Sequence, residues 1–400
     1  MSTSSQTTKT SRLHPNIWIL SITSLLTDVS SEMLANVLPL FLYNVLGVQT
    51  TIIGLIDGVA ETTASLVKVY SGRLSDQLGK RKVLAVLGYG LSTIAKPFLF
   101  FASTWGWVLG VRFTDRVGKG IRTAPRDAML AGSARPEQRG LAFGLHRAGD
   151  TAGAFLGLAI AALIIWLTQS GTSALTRNTF QLIVLASIIP AVLAVLILAL
   201  GARDVETNTG KKADTPRLGW KTLDRRFRIF LLIVVLFTLG NSSDSFIILR
   251  GQERSLSVLQ IMGMLMTFNA IYSILSGPAG LLSDRIGRRK LMLAGWLVYG
   301  LIYLGFALAR TGGQVWMLFG LYGIYYALTE GTAKALVADL VPQEQRGTAY
   351  GYFNAAIGLT ALPASLIAGA LWQWINPAAP FFFGAMMALI AGAMLRVTFK

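Results

Sequence analysis

Long apolar stretches, separated by short polar connections, recur along the whole chain. Two of them read RNTFQLIVLASIIPAVLAVLILALGA (177–202) and RIFLLIVVLFTLGNSSDSFIIL (228–249). An apolar run of about 18 residues or more is long enough to cross a bilayer as a helix. With no water in the hydrocarbon to satisfy the backbone, such segments must close their own hydrogen bonds, which helices do. The shorter alternating segments of transmembrane β-strands do not occur. The pattern resolves into twelve predicted helices over residues 16–46, 50–73, 82–103, 106–131, 139–168, 179–201, 227–249, 257–282, 290–309, 315–341, 346–374 and 379–398. An all-α, polytopic membrane protein is the fold class this predicts.

Composition agrees. Of the 400 residues 53% are hydrophobic and 14% charged, against about 25% charged in soluble domains. The net charge of +17 raises the question of nucleic acid, and the distribution of the cations answers it. With both termini placed inside the cell, 23 Lys and Arg fall on the cytoplasmic side. Four (Arg177, Arg250, Arg254, Arg310) fall on the other, and nine lie within helices. That is the positive-inside bias of a cell-membrane protein with cytoplasmic termini, and no nucleic-acid role is expected. The chain has no cysteine and two histidines, which excludes disulfides and a histidine-based metal site. The polar segment 1–15 reads as a cytoplasmic tail and not as a signal peptide.

The second half of the chain echoes the first. GRLSDQLGKRK (72–82) returns as GLLSDRIGRRK (280–290), PEQRGLAFG (136–144) as PQEQRGTAYG (342–351), and VSSEM (29–33) faintly as NSSDS (241–245). Three echoes in one order at nearly one offset divide the chain into two six-helix halves, 16–201 and 227–400. The polar segment 202–226 joins them as a central cytoplasmic loop.

The fourth predicted helix carries an unusual load. Arg112, Arg116, Lys119, Arg122 and Arg126 follow steps of three and four, so they form one stripe, which Asp115 shares. At mid-membrane each charge facing lipid would cost about 2.5–3.5 kcal/mol on insertion scales. Arg126, beside Pro125, can reach the interface; Arg112 and Arg116 lie some 20 Å deeper by the helical rise, about 1.5 Å per residue, and must face protein or water. Acids stand on other helices of this half: Asp28 and Glu32 on helix 1, Asp57 and Glu61 with Lys68 on helix 2, and Asp150 with His146, beside Arg147, on helix 5. The second half offers Asp244, then Glu330 with Lys334 on helix 10, and a set of tyrosines from which Tyr325 or Tyr326 could face a cavity. These charges can form a structural ion-pair network or line an aqueous path.

At this point the motifs resemble those of the major facilitator superfamily of secondary transporters. The glycine-turn motif matches that family's loop between helices 2 and 3, here Gly72, Asp76, Gly79, Lys80 and Arg81, with its second copy at Gly280, Asp284, Arg285, Gly287 and Arg288. RFTDRVGKG (112–120) resembles the family's helix-4 motif, with Arg116 standing where glycine is usual, and the wider string resembles a largely uncharacterised prokaryotic subgroup. GDTAGAFLG (149–157) resembles the helix-5 antiporter motif, with Ala154 replacing its proline and Leu158 its last glycine. The resemblance implies gating by the loop motifs, and in the second half a pair between Arg285 and Asp339. In the first half Gln77 and Gly132 stand where that pair would be.

The reading is a monomeric secondary transporter of a small organic solute, without cofactor, working by alternating access. There is no G-x-x-x-x-G-K-[ST] motif, so an ion gradient is the expected drive: protons first, through Asp28, Glu32, His146 and Asp150, or sodium. The basic stripe (Arg112, Arg116, Lys119, Arg122), with Glu330 and Lys334, points to an anionic or zwitterionic solute, and the helix-5 motif to export. A broad-specificity drug efflux pump is the alternative. A membrane enzyme lacks a nucleophile–base pair, and a non-transporting sensor or scaffold would not need the cavity charges.

Overall fold

The computed structural model describes residues 13–135, 138–169, 172–204, 224–342 and 345–398, and of Arg73, Asp76, Leu281 and Asp284 the backbone alone. The expected tail and most of the central loop lie outside the described residues. The rest is helical: α1 (Pro15–Ala35, continued by Leu38–Leu40 and a π-helical turn Phe41–Val45), α2 (Thr50–Leu78), α3 (Arg81–Ala95, ending in a 3-10 segment Lys96–Phe101), α4 (Trp105–Ser133), α5 (Arg139–Gln169) and α6 (Arg177–Gly201). Then come α7 (Arg225–Gly240, resuming at Ser245–Glu253), α8 (Val258–Ile286), α9 (Arg288–Leu308), α10 (Gly312–Asp339), α11 (Arg346–Trp374) and α12 (Ala379–Thr398). Among the described residues, nine of these are long and apolar enough to cross a membrane. The three that fall short are α2, α4 and α10, which carry most of the intramembrane charge.

Helix ends follow local chemistry. Gly79 closes α2 at φ +64° and Gly287 separates α8 from α9 at φ +93°, a region that favours glycine. We call the end of the bundle that carries these turns the turn face. At the opposite end, Thr104, Thr176, Ser257 and Thr311 cap α4, α6, α8 and α10, the last two as full capping boxes with Gln260 and Gln314. We call that end the cap face. Asn16 ties the turn face together by donating to Ser133 (3.1 Å) and to the Arg203 carbonyl (2.8 Å).

The most extensive helix pair is α2 against α11, followed by α1 against α5 and α3 against α4; α5 also packs on α8. Glycine permits these approaches. A Cβ at Gly157 would lie 2.5 Å from the Val29 carbonyl oxygen, and one at Gly149 3.0 Å from that of Ser21, so the small-residue spacing of α5 serves its contact with α1. The α2–α11 contact runs from Thr50, bonded to the Gly369 carbonyl at 3.2 Å, to Thr62, bonded to that of Gly358 at 2.6 Å. It therefore occupies the cap-face half of α2. Nearer the turn face, Tyr70 is 69% exposed and Leu74 and Leu78 are also open.

One cation expected on the outer side, Arg250, is buried there by protein. Arg250, 1% exposed, donates to the carbonyls of Phe306 (3.1 Å), Ala307 (3.0 Å) and Ala309 (3.3 Å) and pairs with Glu253 (2.7 Å), holding the end of α9 against α7. Arg250→Ala leaves these acceptors unpaired. It is expected to destabilise by about 3 kcal/mol or more, read as a lower thermal midpoint of the purified protein. An unchanged midpoint would remove Arg250 from the fold's support.

Candidate functional site

The helix-4 stripe exists, and its members meet different fates. Arg112 lies 3.8 Å from Asp57 on α2. Arg116 is 8% exposed, 3.3 Å from Glu61 on α2 and 3.7 Å from Asp115 on its own helix. Arg122 is buried, donates to Ser92 (3.1 Å) and covers the Tyr89 ring at 4.5 Å. Lys119 is exposed, and among the described residues its ammonium makes no ion pair. Arg112 meets Asp57 because α2 packs extensively on α4. Glu61 and Asp115 enclose Arg116, so Lys119, one turn on, is the open cation of the stripe.

Of the acids on α1, Glu32 accepts from the Asn36 amide at 2.8 Å and Asp28 is half-buried. Neither has an ion-pair partner among the described residues. Asp150 on α5 accepts from the Ser24 hydroxyl at 2.5 Å, and His146 Nε2 lies 3.8 Å from the same oxygen. Ser24 also receives Arg126 (3.3 Å), which binds Asp127 at 2.8 Å. Thus Asp150, His146 and Arg126 form one cluster across α1, α4 and α5.

Sequence reasoning missed Lys96. It is 4% exposed and donates to Ser30 (2.7 Å) and Ser31 (3.1 Å) of the VSSEM segment. Its signal was a single lysine inside the apolar run IAKPFLFF.

On the other side of the molecule Glu330 (α10) is the centre. It accepts from the Tyr272 hydroxyl and from Arg147 of α5 (3.3 Å), and Lys334 stands 3.7 Å away. Arg147 and Lys334 are more than half exposed. Asp244 sits at the interruption of α7, 3.4 Å from the Tyr322 hydroxyl. Tyr325 is buried among aromatic rings, leaving Tyr326 the more open of the two.

In the glycine-turn motifs, Gly72 lies against Ala124 of α4, Gly280 has open space beside it, and Lys80 and Arg285 are exposed. Arg81 is half-buried at the start of α3. The side chains of Asp76 and Asp284 lie outside those described. Asp339 pairs with Arg288, which also donates to the Ala335 carbonyl at 3.1 Å. This replaces the expected Arg285 partner: Arg288 opens α9, which packs along α10 and so presents its first turn to the end of that helix.

The profile of the Major Facilitator Superfamily matches residues 20–266 and 245–400. The chain belongs to the major facilitator superfamily. Over 389 residues it is 38% identical to an uncharacterised MFS-type transporter of Methanocaldococcus jannaschii, covering 96% of this chain and 94% of that one. It is 23% identical to a multi-drug resistance efflux pump homologue of Lactococcus lactis, covering 92% and 91%. Among solved structures it resembles the nucleoside transporter NupG (TM-score 0.81, 13% identity, 96% and 100% covered) and a D-xylose–proton symporter (0.76, 16%, 95% and 96%). It is thus a multi-pass membrane protein of a superfamily of transporters and not an enzyme.

Proposed function

We propose that this chain is a proton-coupled secondary transporter that exports a small anionic or zwitterionic organic solute. The arrangement is two six-helix halves, 16–201 and 227–400, joined at 202–226, with both termini cytoplasmic in the cell membrane and the monomer as the working unit. The observation that carries the reading is the set of charges between the helices that are too polar for lipid: exposed Lys119 beside exposed Glu61 on one side, and Arg147, Glu330 and Lys334 on the other. Charges left open inside a membrane protein mark solute and ion paths. Lys119 and Lys334 would meet the solute's anionic group, with Glu330 beside it, while Arg112, Arg116 and Arg122 set the field of the site. Asp28, Glu32, Asp150 and His146 would carry protons. The distinction follows from partners: Asp57 and Asp115 form ion pairs with guanidinium groups, whereas Asp28 and Glu32 form none among the described residues.

The α2–α11 contact on the cap-face half supports alternating access. In that scheme the glycine turns, with Gly72, Asp76, Gly79, Lys80, Arg81, Gly280, Asp284, Arg285, Gly287 and Arg288, would close the turn face. Asp339→Asn is expected to cut transport at least several-fold with membrane expression unchanged, because Arg288 loses a charge-assisted partner. Full activity in that variant would remove the pair from the gate. A second reading, a broad drug efflux pump, is favoured by the efflux-pump relatives. The deciding experiment is a metabolite comparison of cells with and without the gene. It is followed by flux of each candidate, and of cationic dyes, in proteoliposomes under an imposed pH gradient. Dye efflux alone favours the second reading, and no flux of either kind ends both.

A further inference from the structure

The faint echo of VSSEM in NSSDS puts Glu32 of α1 and Asp244 of α7 at equivalent positions of the two repeats. The folded chain brings the two acids within electrostatic reach of each other, with Asp57 and Glu61 beside them. Those neighbours are already answered: Asp57 by Arg112 and by the Ser243 hydroxyl (2.8 Å), and Glu61 by Arg116. Among the described residues, Glu32 and Asp244 hydrogen-bond to neutral groups, the Asn36 amide and the Tyr322 hydroxyl, and neither has an ion pair of its own; the cation at longer range from Glu32 is Arg116, which Glu61 and Asp115 engage. Two carboxylates without an ion pair inside a membrane protein are costly unless a cation joins them.

The surroundings of Asp244 favour one kind of cation. The interruption of α7 leaves Asn241, Ser242, Ser243 and Asp244 partly exposed. Tyr326, partly exposed, stands beside it with Phe268 behind at 5.3 Å, while the fully buried Tyr322 ring, edge to face with Tyr326 at 5.2 Å, reaches Asp244 through its hydroxyl. Behind them, the Tyr303 hydroxyl lies in a side chain 1% exposed, among Asp244, Ser242 and the hydroxyls of Tyr299 and Tyr322. Aromatic faces together with a carboxylate recognise organic ammonium groups. A small metal ion would want a shell of oxygens, and tyrosine rings do not supply one.

We propose that Glu32 and Asp244 bind the ammonium group of the transported solute, with the Tyr326 ring beside it. This rests on the transporter reading and narrows its substrate class to a zwitterion, the ammonium here and the anionic group at Lys119.

The test uses the purified full chain and two probes of similar shape, phenethylammonium and neutral 2-phenylethanol, with binding measured by calorimetry. Wild-type protein should bind the ammonium at least tenfold more tightly than the alcohol. Asp244→Asn and Glu32→Gln should each weaken ammonium binding by about tenfold or more, as expected when a buried charge pair is truncated. Because the chain has no cysteine, Ser242→Cys gives a second readout that does not depend on either acid being replaceable. A trimethylammonium thiosulfonate should label Cys at that position faster than a neutral thiosulfonate, and phenethylammonium should protect it. Equal binding of the two probes, or full ammonium affinity in both acid variants, overturns the site. Solute flux that persists in Asp244→Asn with ammonium binding unaltered from wild type overturns the site and leaves the transporter standing. Charge-selective labelling and binding in a protein that moves no solute would uphold the site and sink the transporter.

Discussion

Asp28→Asn is expected to abolish accumulation of the solute against its gradient in everted vesicles while leaving solute–solute exchange running. An asparagine fills the same space and cannot carry a proton. Asp28 is half-buried on α1, one turn from Glu32, with Asp150 and the cations Lys119 and Arg122 around it at electrostatic range. Its freedom separates it from its neighbours. Asp57 is held by Arg112 and Ser243, so it would have to break a bond before releasing or taking a proton. Asp28 has no such bond among the described residues. A gradient of one pH unit supplies about 1.4 kcal/mol per proton, worth about a tenfold accumulation. In the variant that ratio should fall to unity, with exchange of labelled against unlabelled solute at wild-type rates. Glu32→Gln should lose accumulation and exchange together, because Glu32 also meets the solute. Accumulation at the wild-type level in both variants would end the assignment of coupling to α1.

Most of the helices could be read from the sequence, because the bilayer imposes a length and an apolarity that leave few alternatives. The predicted segments 346–374 and 379–398 coincide with α11 and α12, and the other ends differ by a few residues, mainly where α2 and α8 run on to their glycine turns at Gly79 and Gly287. The interruption of α7 had a signal, the run GNSSDS (240–245) of turn-forming residues, which the apolar flanks outweigh. LFTLGNSSDSFIIL stays apolar on both sides, and a break after Gly240 depends on Tyr299 holding its carbonyl (2.8 Å) and on Ser243 reaching Asp57. Similarly, spacing alone placed the helix-4 cations on one face, since helical geometry fixes that. Which neighbour each would meet is a matter of helix packing, and the sequence pattern holds no record of it. Hence Arg112 meets Asp57 and not the α1 acids, and Asp339 meets Arg288 and not Arg285.

Within that stripe, Arg116→Ala is expected to act on stability and Lys119→Ala on binding, and the contrast follows from their surroundings. The Arg116 guanidinium is enclosed, with its two acids unequally wet: the Asp115 side chain is 17% exposed and the Glu61 side chain 53%. Removing one partner of a buried pair costs about 3–5 kcal/mol, because the other charge stays behind without compensation. Arg116→Ala takes from Asp115 its ion-pair partner, leaving Lys96, Arg112 and Arg122 at longer range, and should lower the thermal midpoint of the purified protein. Glu61→Gln removes a carboxylate that water already reaches and should cost about 1 kcal/mol or less. Arg116→Met with Asp115→Asn removes both charges and should recover part of the loss. Arg116→Lys should fall between, since an ammonium is a point charge that cannot serve two carboxylates as a planar guanidinium does. Lys119→Ala should leave the midpoint in place and weaken the affinity for the anionic group of the solute, measured by calorimetry once the metabolite comparison has named it. If Arg116→Ala keeps the wild-type midpoint while Lys119→Ala keeps full affinity, the division of labour along α4 is wrong. If Arg116→Ala keeps its midpoint and instead loses affinity, Arg116 is the solute-binding cation despite its burial.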